Sequence, residues 1–196
     1  MRRRRLARPM PNWHQLLIAL LSEVQIENTH QRQEITSLIK SQRYLLAAEA
    51  IKKFGTFNTD KRDLAVDSQV VKILKQRMSI SERNSSLHLA VLDFSVPIFT
   101  TNYDNIIESL ISEYNIEGYR HTTLTCQDEE DAAILLSPTI EHENYIFKLH
   151  GSIDRTQRFI LDEADYSDFY FHAKWATSLQ LLRHTLATKM VVFIGF

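Results

Sequence analysis

The sequence predicts an α/β fold, a parallel sheet joined to a helical first half, and three observations carry that reading. Residues 11–93 hold helical apolar periodicities and no good strand. From Ser95 onward, short apolar runs alternate with amphipathic stretches, which is the pattern of βαβ units. Two of those runs, Val96–Phe99 and Tyr145–Leu149, stop at polar turns, Thr101-Asn102-Tyr103-Asp104 and His150-Gly151-Ser152. In open parallel sheets, ligands sit just beyond the carboxyl ends of strands.

In chain order, residues 1–10 read as a disordered basic tail carrying Arg2–Arg5 and Arg8. Pro11-Asn12-Trp13 opens a helix whose apolar face is Leu16, Leu17, Leu20, Leu21 and Val24. A second helix is expected over 34–53, stopped by Gly55. Weaker helical patterns follow over 64–77 and 81–93, the first with Leu64, Val66, Val70, Val71, Ile73 and Leu74, the second with Leu87, Leu89 and Leu92 as core positions. Then come a strand over 95–100, a helix over 104–115 capped by Asp104 or Asn105, and a short strand over His121–Thr125. A helical turn over 128–136 leads to a strand over 144–149, a turn over 154–157 and a short strand over Arg158–Leu161. One long amphipathic helix spans Asp165 to about Lys189, and Met190–Ile194 is a fully apolar strand cut off at Gly195-Phe196. No strand precedes the Trp13 helix, so the chain reads as a single partial domain over 11–196 with both edges missing.

Composition narrows the function. Net charge is −1, which argues against bulk nucleic-acid binding, and the five early arginines leave −6 for the remainder. No apolar stretch reaches the ~18 residues of a membrane span. The arginines are followed by no apolar signal region. Cys126 is the sole cysteine, so an intrachain disulfide and a four-cysteine zinc site are both impossible, and a reducing cytoplasm is the expected location.

Asn102 and His150 are the candidates for chemistry. An asparagine amide offers a donor and an acceptor, suited to orienting a sugar hydroxyl or a water. Histidine is the side chain most easily set to accept a proton near neutral pH, and Gly151 behind it lets a ligand approach the backbone. Asp128–Asp131 reads as a solvated acidic face, Asp162, Glu163, Asp165 and Tyr166 as a helix start with a packing tyrosine, and Trp13 and Trp175 as core anchors. His172 and His184 need only a surface role.

TTNYDNIIE, KLHGSID, FILDEADYSDFY and VVFIGF, in this order, resemble the SIR2-like domain of bacterial sirtuin-related proteins, many of them NAD+ glycohydrolases of antiphage defence. Pro11-Asn12-Trp13 resembles the Pro-x-Trp of the family's second element. The resemblance implies a three-layer Rossmann-like parallel sheet, with Asn102 and His150 as the catalytic pair. It implies Thr101, Asp104, Gly151 and Gly195 as residues contacting NAD, which would be substrate rather than cofactor. It implies no metal, and a homo-oligomer and a fused or associated sensor module as partners. The family's Gly-rich phosphate loop would precede Pro11, where MRRRRLARPM holds no glycine, so impaired NAD binding is expected. With no zinc module, NAD+ hydrolysis is favoured over protein deacetylation. The rival reading is a catalytically silent scaffold that keeps the fold.

Overall fold

The computed structural model describes residues 11–55, 62–77, 82–119, 123–137, 144–155, 159–172 and 175–194. The basic tail, Gly195 and the start of the expected 121–125 strand lie outside them, as does the Leu64 side chain.

Helix α1 (Trp13–Glu23) begins where Asn12 accepts the Gln15 amide proton and the Gln15 side chain accepts that of Asn12, a reciprocal cap. Its Leu16, Leu17, Leu20 and Leu21 are buried as their spacing predicts. The helix expected over 34–53 is instead two, α2 (Thr29–Lys40) and α3 (Tyr44–Phe54). Gln42 sits between them at φ 61°, its amide bonding Ile39 O (3.1 Å) while the Arg43 amide bonds Leu38 O (2.9 Å). That pair of bonds is a Schellman stop, usually marked by glycine. Here no glycine signals it. The break folds Ala47, Ala48 and Ile51 of α3 back onto Ile35 and Ile39 of α2. Helix α4 (Arg62–Arg77) packs on α1 through Val66, Val70, Ile73 and Leu74. Helix α5 (Glu82–Leu92) buries Leu92, but Leu87 is exposed. At 3.6 residues per turn, Leu87 lies about 140° around the helix from Leu92, on its outer face.

Three short strands, β1 (Ile98–Thr100), β2 (Leu124–Thr125) and β3 (Ile146–Lys148), form a parallel sheet in the order β1-β3-β2. Side chains alternate across a sheet. Ile98 faces Leu92 of α5 and Leu110 of α6 (Ile106–Tyr114). On the opposite face, Phe147 and Leu124 meet Ala132 and Leu135 of α7 (Glu129–Leu135) and Leu179 and Leu181 of α9 (Ala176–Thr188). Helices therefore cover both faces, the three-layer arrangement expected.

The expected 165–189 helix is also divided, into α8 (Glu163–Phe171) and α9. His172 is extended (ψ 135°), and the break swings the Trp175 indole to 3.4 Å from Asp168 Oδ2 and its ring onto the second core. Phe159–Leu161 is buried but forms no strand. Its polar groups are met one by one: the Ile160 amide donates to His150 O (3.0 Å), Ile160 O accepts from the Tyr103 hydroxyl (2.8 Å), and the Leu161 amide donates to Asp165 Oδ2 (3.1 Å). A segment so satisfied has no need of a ladder. Met190–Ile194 likewise forms no strand, and all five residues are exposed. An apolar run says that a segment favours burial, not which sheet edge takes it.

Among the described residues, no helix is long and apolar enough to cross a membrane.

Candidate functional site

The register of β1 against β3 pairs Thr100 with Lys148. Asn102 and His150 thus lie at equal distances along the chain past a matched pair, and the two polar turns leave the same edge of the sheet. Backbone bonds carry the pairing onward, from the Leu149 amide to Thr100 O and from the Ile153 amide to Tyr103 O, both 2.9 Å. A side-chain bond adds a third link, Asn105 Nδ2 to Asp154 Oδ2 at 3.0 Å.

In the first turn, Thr101 and Asn102 are exposed. The Asn102 amide proton is held by Thr100 Oγ1 at 3.1 Å, which fixes the turn's backbone beneath its side chain. Asp104 Oδ1 accepts the Ile106 amide proton (3.1 Å), so Asp104 is the residue that caps α6, while Asn105 reaches across to the other turn. Tyr103 points downward into the helical core, edge-on to Phe159 and Trp13. Burial first, then the nearby Tyr166, Asp165 and Asp67, push its hydroxyl well above the ordinary tyrosine value. It stays a neutral donor and anchors the turn.

In the second turn, His150 is 5% exposed. Burial pushes its imidazole down from 6.5 to about 4, so it is neutral at physiological pH and able to accept a proton. Tyr166 covers it edge-on at 5.0 Å between ring centroids, with the hydroxyl 3.5 Å from Nδ1. Gly151 follows at φ 103°, buried, a backbone conformation that only glycine adopts without strain. The structure brings Asn102, Asp104, His150 and Gly151 to one rim.

The depressed value of His150 has a consequence for stability. Its folded-state value lies below its unfolded one, so the unfolded chain binds the extra proton between them. Stability is therefore full above about 6.5 and falls as the pH drops toward about 4, by roughly 3 kcal/mol at 1.36 kcal/mol per unit. Urea titrations across this window should show that slope, and His150→Gln should flatten it.

Two buried lysines were given no role by the sequence reading, although one of them opens the KLHGSID stretch. Lys148 is 1% exposed, and its ammonium lies 2.7 Å from Glu108 Oε1, bonds Asp104 O, and stands 3.4 Å from both Tyr103 O and Ser152 Oγ. The signal was present: a lone charge inside an apolar strand implies a buried partner. Lys52 on α3 pairs with Asp162 (2.8 Å) and Asp165, all three buried. Burial alone would lower Lys52, but hydrogen bonds from it to Asp162 and Asp165 and their charges hold it above its ordinary value. Helical phase puts Lys52, four residues after buried Ala48, on the inward face of α3, and Lys53 off it.

Two members of the acidic run are not a solvated face. Asp128 pairs with Arg155 and accepts from the Thr125 amide (2.6 Å). Glu129 accepts from the amides of Thr177 (2.9 Å) and Ser178 (3.1 Å), capping α9. Partial burial would raise Glu129, but the Ser178 and Thr177 bonds outweigh it and hold it below its usual range. Among the described residues, no group of three or more His, Cys, Asp or Glu side chains stands together as a metal site.

The family model described as "SIR2-like domain" matches residues 96–196, from two residues before β1 to Phe196. The chain is also 30% identical over 105 residues to the NAD(+) hydrolase ThsA of Enterococcus faecium. That match takes in 52% of this chain and 20% of the relative, so the chain spans about a fifth of the relative's length. No solved structure matches.

Proposed function

Because this chain belongs to the SIR2-like domain family, we propose that it hydrolyses NAD+ to nicotinamide and ADP-ribose. The observation that carries the reading is the matched exit of the two polar turns from neighbouring parallel strands, with a neutral histidine behind one of them. Resemblance to an NAD(+) hydrolase supports the choice of substrate.

In this reaction the bond between nicotinamide and ribose breaks, cationic nicotinamide leaves as the neutral base, and positive charge develops at the ribose carbon. Water forms the new bond and loses a proton. His150 takes that proton, directly or through a ribose hydroxyl, and Asn102 holds the nucleophile in line. Asp104 lies beside the nicotinamide ribose, and the backbones of Thr101 and Gly151 line the sugar. Gly195 belongs to the adenine side. The setting we propose is cytoplasmic antiphage defence, as a homo-oligomer coupled to a sensor module, over one domain spanning 11–196.

The test is nicotinamide release from NAD+ by the full chain and by Asn102→Ala. Loss of the aligning amide should lower the rate about 10²-fold, the cost of a misplaced reacting group. A variant as fast as its parent would remove Asn102 from the mechanism. A parent that releases no nicotinamide, with assembly unchanged by the substitution, would favour the silent scaffold.

A further inference from the structure

Beside the Asn105–Asp154 bond, a second side chain joins the two turns, and this one is buried. We propose that Lys148 is a positioning residue that sets the Asn102 turn against the His150 turn. The inference rests on the hydrolase reading for its consequence in catalysis, but its geometry stands apart from that reading.

Lys148 sits at the carboxyl end of β3, opposite Thr100 of β1, with its side chain on the face covered by α6. From there the ammonium reaches three separate pieces of chain. It bonds Asp104 O and stands 3.4 Å from Tyr103 O, the two residues directly after Asn102. It pairs with Glu108 in the first turn of α6, the helix that Asp104 caps. It also stands 3.4 Å from Ser152 Oγ, two residues past His150. Glu108 is held in its turn by the Thr123 hydroxyl at 3.0 Å.

An ammonium has three donors and no acceptor, and a buried one must satisfy them on nearby acceptors or carry a large desolvation cost. Here the acceptors belong to both turns, so the requirement of one charge fixes their separation. A neutral side chain of similar length would fill the same space and hold neither. The backbone bonds at Leu149 and Ile153 run across the two strands and set register, and neither involves Asp104 O. Asn102 itself is exposed and makes its backbone bond only within its own turn. Of the two carbonyls after Asn102, Tyr103 O is also held by the Ile153 amide, and Asp104 O is held by Lys148.

The experiment compares the full chain with Lys148→Met and, because a fully buried change can prevent folding, with Glu108→Gln, which keeps the lysine and weakens its anchor. Amide hydrogen exchange is followed at Asn102, Ile106, Leu149 and Ile153 and, for reference, in α1 and α3. A purely structural role lowers protection everywhere by the same factor, whereas loss of a clamp lowers it further at the turns. The expected result is an excess loss at the turns of about tenfold or more in Lys148→Met, and about threefold in Glu108→Gln if the first variant does not fold. Nicotinamide release should then show a kcat reduced about tenfold or more, with KM within about twofold. Turn amides that follow the reference helices overturn the proposal, whatever the activity. Loosened turns with an unchanged kcat overturn it as well. A parent without NAD+ turnover defeats the hydrolase reading alone, because exchange still decides the clamp.

Discussion

Replacing Lys52 by methionine should lower the free energy of unfolding by about 3–5 kcal/mol, the cost of removing one partner from a buried ion network. The lysine bridges α3 to the capped start of α8, and both carboxylates it holds are buried. Without it, Asp162 and Asp165 face each other across the cap with no cation, and Asp165 must still accept from the Leu161 and Asp162 amides. The midpoint in urea should drop while the slope stays constant, since the change alters stability and not the surface exposed on unfolding. Lys53→Met is the control. That neighbour is exposed and lies over the Phe54 ring at 5.4 Å, so its loss should cost less than about 1 kcal/mol. A Lys52→Met protein as stable as the control would mean that the ion network contributes nothing to the junction.

The second large effect concerns His150. His150→Ala should reduce nicotinamide release by about 10²–10⁴-fold, the usual contribution of a positioned general base. The pH profile makes the test sharper. An imidazole at about 4 is neutral above that value and ready to accept a proton, and is protonated and idle below it. The parent's rate should therefore fall on the acid side with a midpoint near 4 rather than near 6.5, and His150→Ala should lack this limb. Circular dichroism of both proteins at each pH separates lost chemistry from lost fold. A variant that keeps the parental rate removes His150 from the mechanism.

Much of this was legible in the residues. Alternation from Ser95 onward revealed the parallel sheet, because a strand buried on both faces has to be a short, continuous apolar run. The two turns were legible for the same reason: each is the polar punctuation that ends such a run. What could not be read were the breaks. Gln42 and His172 interrupt helices without glycine or proline, since tertiary packing of Ile51 and Trp175 overrides a continuous helical pattern. Phe159–Leu161 and Met190–Ile194 have strand-like composition, but pairing is a property of two segments, and neither finds a partner strand among the described residues. Lys148 and Lys52 show a third limit. Burial of a charge is decided by partners 40 or more positions away, Asp104 and Asp162 among them.

The match to the family model begins at residue 96, but the packing does not respect that border. Tyr103, Ile153, Phe159 and Leu161 lie inside the matched stretch and are sealed in the core built by α1, α3 and α4, which lie outside it. Cut at 96, the shorter piece would carry both polar turns and turn their undersides, two aromatic rings and two aliphatic chains, out to solvent. The helices that lie before the matched stretch are the floor on which that stretch rests.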